Sequence, residues 1–221
     1  MKARIYKVEL TGVTPLLMHN DNLEWAGAMQ EWAKDPANKK GSTAGDDRSP
    51  AFRWIGNLYT DRGLVVLPSD NIMTMLREGG AKCPTGKRQG TFKSLTQSGL
   101  CVNEVAWPII VGGKTISTKA IETLKTEEDY SVHEATIAGT GFVLFAKRAR
   151  IGMAKHVRVR PRFDEWTAAG TITALDDMIT TDVLQNILTV AGALAGLCDW
   201  RPSSQKSGPY GRFTATVKEV K

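Results

Sequence analysis

Residues 181–197 read TDVLQNILTVAGALAGL, and their spacing decides the fold class. Val183, Leu184, Ile187, Leu188, Ala191 and Leu194 recur at helical intervals, so a helix from about 181 to 197 has one apolar face to bury. Asp176, Asp177, Thr180 and Thr181 precede it as candidate caps whose side-chain oxygens can accept from its first amides. Gln185, Asn186 and Thr189 interrupt the apolar run, which is also too short to span a bilayer, so the segment reads as a buried helix and not as a membrane anchor. Beyond it, Phe213, Ala215 and Val217 alternate with Arg212, Thr214, Thr216 and Lys218, the period of a half-buried strand. Before it, Thr167 to Leu175 gives another strand. At the start, Tyr6, Val8 and Leu10 alternate with Lys7, Glu9 and Thr11 as a third.

Trp25, Met29, Trp32 and Ala33 share one stripe of a short helix that Asp35-Pro36 stops. Residues 36–57 turn to Lys, Gly, Ser, Asp and Pro and predict a flexible loop insertion. Asp61-Arg62-Gly63 marks a hairpin, and Pro68-Ser69-Asp70 caps a helix carrying Ile72, Met73, Met75 and Leu76 that Gly79-Gly80 ends. A second hairpin is expected around Gly112-Gly113, inside an inserted hairpin and acidic segment over 92–141. Strand, helix, strands, helix, strand is the order of a single α+β domain over 1–221. It predicts a modified ferredoxin-like (RRM-like) antiparallel sheet, with helices on one face and the other face free to bind.

Twenty-nine Lys and Arg against 23 Asp and Glu leave a charge of +6, which favours anionic partners without naming one. Cys83, Cys101 and Cys198 are far apart and lack metal-ligand spacing, so a reducing, cytoplasmic compartment is expected, with no disulfide framework and no zinc. The sharpest charge feature is the segment 147–162, in which Lys147, Arg148, Arg150, Lys155, Arg158, Arg160 and Arg162 meet no acid and His156 adds a titratable group. Arg158, Arg160 and Arg162 alternate with Val157, Val159 and Pro161, so an extended backbone sets three guanidinium groups on one side over roughly 13 Å, at about 3.3 Å per residue. Guanidinium forks suit phosphate oxygens and stack on bases. The competing reading is a solvated strand whose charges prevent edge pairing. A second basic stretch carries Lys87 and Arg88. Trp166, directly after the basic segment, is a candidate for base stacking.

Between the long helix and the last strand, residues 196–213 form a small-residue loop. Its amides could approach a phosphodiester, with Arg201, Lys206 and Arg212 supplying charge and Trp200 or Tyr210 stacking. An ordinary connection with a tryptophan in the core is the alternative.

These residues carry a resemblance. A Gly-rich loop ending in Gly-Pro-Tyr-Gly-Arg-Phe (208–213) before the final strand, and an opening strand that runs into Thr-Pro-Leu (14–16), resemble the RAMP superfamily of CRISPR proteins, especially its Cascade-type backbone subunits. LLMHN (16–20), VRVRPRFDEW (157–166) and GLCDWRP (196–202) are also similar to a set of uncharacterised bacteriophage proteins. The resemblance implies a ferredoxin-like palm with thumb and finger insertions, the thumb drawn from 92–141. It further implies non-catalytic binding of single-stranded RNA or DNA and head-to-tail assembly of a homo-oligomer or helical filament, in a bacterial host cell. Cys198 stands where such loops usually have glycine.

Catalysis has weak support. Three histidines, His19, His133 and His156, do not make a metal cluster. RAMP ribonucleases use a histidine as acid or base, for which His19 is the candidate, and Asp21 could resemble the aspartate of target-cleaving subunits. Gly113-Lys114-Thr115 imitates the end of a P-loop, but Pro108 replaces the required first glycine. No enzyme activity and no cofactor are expected. A phage assembly or host-modulating protein with an acidic protein partner is the remaining alternative.

Overall fold

The computed structural model describes residues 3–41, 45–86 and 90–220. In chain order the elements are β1 (Arg4–Gly12), β2 (Leu16–Leu17), α1 (Leu23–Lys34), α2 (Pro36–Gly41), a 3-10 helix (Ala51–Asn57), β3 (Thr60–Asp61), β4 (Leu64–Pro68) and α3 (Ser69–Gly80). Then come α4 (Lys93–Ser98), β5 (Leu100–Val102), β6 (Ala106–Val111), β7 (Lys114–Thr115), α5 (Lys119–Glu122), α6 (Tyr130–Ile137), β8 (Val143–Ile151), β9 (Ala154–Phe163), β10 (Thr167–Ala174), α7 (Thr181–Leu194) and β11 (Phe213–Val220). The fold is α+β with mainly antiparallel pairing, as the sequence predicts. The chain packs as two compact units, each built from separated stretches: Met1–Leu16, Val66–Thr115 and Asp164–Lys221 form the first, Leu17–Val65 and Ile116–Phe163 the second.

In the first unit the strand order is β11-β1-β10-β6-β4, with β5 also on β10 and β7 on β6. Tyr6, Val8 and Leu10 turn into the core while Lys7, Glu9 and Thr11 stay exposed, so the period of two in the sequence becomes a covered and an open face. On the covered face, α7 begins where expected, its Thr180 hydroxyl accepting from the Val183 amide at 3.3 Å. It buries Leu184, Ile187, Leu188 and Ala191. α3 ends at Gly80, where the glycine pair predicts its end, and Gly79 has a second role. A Cβ on Gly79 would sit 2.7 Å from the Ala191 Cβ and 2.8 Å from the Ile187 carbonyl oxygen, so the glycine is there to let α3 and α7 touch. Gly112 and Gly113, both at positive φ (56° and 76°), make the two-residue turn between β6 and β7.

One flank of β10 has two successive partners, β6 over residues 167–168 and β5 over 172–174. In the gap between them Glu104 replaces a strand: its carboxylate accepts the Thr171 amide at 2.9 Å, the Thr171 hydroxyl at 2.8 Å and the Trp107 indole N–H at 3.0 Å. Burial alone would raise the Glu104 carboxyl, but the hydrogen bonds from Thr171 and Trp107 outweigh it and hold the group below the usual carboxylate value.

In the second unit β9 lies between β8 and β2. The core gathers Trp54, Phe142, Val159 and Phe163, with the Phe142 and Phe163 rings 5.0 Å apart. The Trp54 indole donates to His133 Nδ1 at 3.0 Å, so the proton of this buried, neutral imidazole sits on Nε2, which donates to the Glu127 carbonyl at 2.8 Å. Where composition predicts a loop over 36–57, the described residues form α2, turns over 45–50 and the 3-10 helix, and the last buries Phe52 and Trp54. The expected insertion over 92–141 divides: residues 92–115, with α4 and β5 to β7, belong to the first unit, and 116–141 join the second. Among the described residues no helix is long and apolar enough to cross a membrane.

Candidate nucleic-acid interface

The basic segment folds as the β8–β9 hairpin, closed by the two-residue turn Gly152-Met153 with Gly152 at a φ of 59°. Nine residue pairs run in register, from Val143 opposite Arg162 to Ile151 opposite Ala154. Because side chains alternate, Val159, Pro161 and Phe163 are buried on one face, while His156, Arg158, Arg160 and Arg162 share the other with Lys147, the cross-strand partner of Arg158. Lys147, Arg148, Arg150 and Lys155 are exposed. β9 is not an edge strand, so its arginines are not edge protection. That role belongs to β8, the terminal strand of its sheet.

Asp47, whose side chain is 5% exposed, organises the arginines. Its main chain pairs with β9 through the Asp47 amide and the Val157 carbonyl at 3.0 Å, which ends the run of 45–47 along the strand. Its carboxylate then accepts the Val159 amide at 3.3 Å, Arg158 Nη1 at 2.8 Å and Arg160 Nη1 at 3.5 Å. Further along the same side of β9, the Met18 amide donates to the Pro161 carbonyl at 3.0 Å. Asp47 therefore fills a gap in a ladder, as Glu104 does in the first unit, and its charge holds two guanidinium groups side by side. Arg162 stacks over the Phe145 ring at 5.0 Å from its centroid. The His156 ring packs against Gly45, where a Cβ would come within 2.5 Å of its Nδ1.

Sequence reasoning missed Asp47. A run of seven positive charges without an acid is itself a signal that counter-charge must arrive from elsewhere in the chain, and Asp46-Asp47 is an acidic pair within the polar stretch before it. Asp46 pairs instead with Arg48, whose hydrogen bonds at 2.7 and 3.0 Å hold its carboxyl below the usual range. Met153 was also missed; it stands 92% exposed at the hairpin tip.

The loop over 196–213 belongs to the first unit, the hairpin to the second. Inside the loop Arg201 is fully engaged, donating to Glu78 at 3.2 Å, the Cys198 carbonyl at 3.1 Å and the Ser203 hydroxyl at 2.9 Å. Arg212 donates to the Ala193 carbonyl at the end of α7. The amides of Leu197, Ser203, Ser204, Gly208, Tyr210 and Gly211 are spent on main-chain carbonyls of the same unit. The loop's glycines thus serve internal contact: a Cβ on Gly208 would meet the Trp200 ring at 2.1 Å, and one on Gly211 the Leu197 carbonyl oxygen at 2.1 Å. Trp200 and Tyr210 form a tilted pair 5.5 Å apart, each half-buried, and Lys206 is exposed. Cys198 adopts a φ of 61°, the left-handed conformation that glycine takes without cost.

Trp166 is corrected outright. Its ring is 2% exposed, lies over Gly12 and donates to the Thr14 carbonyl at 3.0 Å, which leaves no face for a base. Lys87 and Arg88 lie outside the described residues. His19 and Asp21 are exposed, and the described residues contain no cluster that could hold a metal ion. The open sheet face of the first unit presents Lys7, Glu9, Thr171, Thr216 and Lys218 around a shallow depression and, in those rows, no aromatic ring. No protein-family model matches the chain, and no curated protein matches it.

Proposed function

We propose that the protein binds single-stranded nucleic acid non-catalytically, through its phosphates, on the β8–β9 hairpin, and assembles head to tail along the strand. The observation that carries this reading is the arrangement of cations set back from the hairpin tip: Lys147 is exposed on the face it shares with Arg158 and Arg160, which one buried carboxylate aligns, and Arg148 is exposed on the other face. A pre-aligned guanidinium loses less freedom on meeting a phosphate than a loose one. A ferredoxin-like palm is supported by topology. If β1, β6, β10 and β11 are numbered first to fourth, their order in the sheet is fourth, first, third, second, with α3 and α7 as the two crossover helices.

The test is a salt titration of binding to an unstructured oligonucleotide, as RNA and as DNA. Lys147→Ala with Arg148→Ala removes two cations without touching Asp47. It should weaken binding to all sequences about tenfold and lower the slope of log K against log salt by about 1.4, at roughly 0.7 per phosphate contact. Unchanged affinity and slope would sink the assignment.

A further inference from the structure

The hairpin tip and helix α1, both in the second unit, have complementary surfaces that neither strand binding nor the core explains. α1 buries none of its residues, yet Trp25, Met29 and Trp32 form an apolar stripe along it. Both indoles stand perpendicular to the Phe52 ring, at 6.3 and 5.9 Å, and with Glu128 and Lys125 they line a groove of about 380 Å³. The pyrrole edge of the Trp25 indole packs against Gly56, where a Cβ would come within 2.2 Å of its Cδ1, and this holds the ring in place as one wall of the groove. The groove's surroundings are acidic. Glu24 and Glu31 lie on α1, and Glu122, Glu127, Glu128 and Asp129 lie beside the groove's other wall in sequence. The lysines Lys34 and Lys125 are each already paired, at 2.5 Å, with Glu31 and Glu122.

The hairpin tip offers the converse. Met153 is the most exposed large apolar side chain among the described residues, and Arg150 and Lys155 flank it directly opposite each other across the two strands. Like charges facing each other across a ladder destabilise it unless an anion lies against them. A phosphate backbone supplies the anion but no apolar recess for Met153, whereas the acidic aromatic groove supplies both.

We propose that the tip of one copy, Met153 between Arg150 and Lys155, inserts into the Trp25–Trp32–Phe52 groove of a second copy. Each copy has one tip and one groove, so the contact is heterologous and propagates as an open chain. This rests on the head-to-tail assembly proposed above and names its interface, which leaves the cations set back from the tip to the strand and forms without nucleic acid.

Sedimentation equilibrium in the absence of nucleic acid tests it. Wild-type mass should rise with concentration up to about 100 µM, the range in which weak homotypic contacts show themselves. Met153→Asp, which spoils the tip, and Glu128→Arg, which spoils the groove, should each remain monomeric. An equimolar mixture of the two should give a one-to-one dimer and nothing larger, since only one good tip and one good groove remain. A monomeric wild type, variants that associate like it, or a mixture that stays monomeric would each overturn the proposal. Strand binding is measured separately on monomeric Glu128→Arg, whose hairpin is intact, so failure there touches the proposed function alone. Loss of strand binding in Trp32→Ala without any change in mass would assign the groove to a nucleobase and also overturn the contact.

Discussion

Asp47 and Glu104 are the two residues whose removal should tell most about local order. Each is a carboxylate that accepts a strand amide where the neighbouring strand stops. In Asp47→Ala the Val159 amide loses its acceptor and two arginines lose their shared counter-ion, so stability should fall by about 3 kcal/mol in urea denaturation. Asp47→Asn keeps an acceptor and should cost less. The cysteines give a second expectation. Burial pushes the Cys198 thiol up to about 12 and raises that of Cys83, while Cys101 is exposed. Iodoacetamide at mildly alkaline pH should therefore label Cys101 alone in the native protein and all three thiols in denaturant, as counted by mass spectrometry. Cys198 also shows what a single residue can reveal in advance. A side chain where glycine is usual drew attention in the sequence, and the backbone there is indeed left-handed.

Elements were legible where the signal is local. The helix predicted from 181, the turns at Arg62-Gly63 and Gly112-Gly113, and the alternation of β1 and β11 depend on spacing and turn chemistry within a few residues, and the structure has all of them, the helix ending at Leu194, three residues before the predicted 197. Gly79-Gly80 marks the end of α3, but that Gly79 also admits α7 was not legible, because a glycine that ends a helix and one that admits a neighbouring helix look the same in one dimension. Gly79→Ala should destabilise the first unit by about 2 kcal/mol in thermal melts, because the added methyl meets α7 main chain that cannot step aside. The polar stretch 36–57 hid a core element for a similar reason: Phe52 and Trp54 find their partners, Trp25 and His133, far away in sequence. At the β5–β6 gap the sign of the pH effect follows from Glu104. Its folded carboxyl is held below the ordinary value, so its stabilisation is complete above that value and disappears as pH falls through the lowered one. Acid titration of unfolding should show this limb in the wild type and a flatter one in Glu104→Gln.

For the whole molecule, the candidate site was legible as charge but not as arrangement. The seven cations of 147–162 are visible in the sequence. That two of them answer to Asp47, that Trp166 is core, and that the glycines of 196–213 serve the loop itself all depend on contacts between distant stretches. The discontinuity of the second unit has one more consequence, for the nascent chain. Trp54 emerges from the ribosome 79 positions before His133, the group that takes its indole proton. At roughly 5–20 residues per second, that is an interval of about 4–16 s in which a large aromatic surface has no completed core to enter. Chaperone demand during synthesis should therefore peak while the intervening strands of the first unit are still being made.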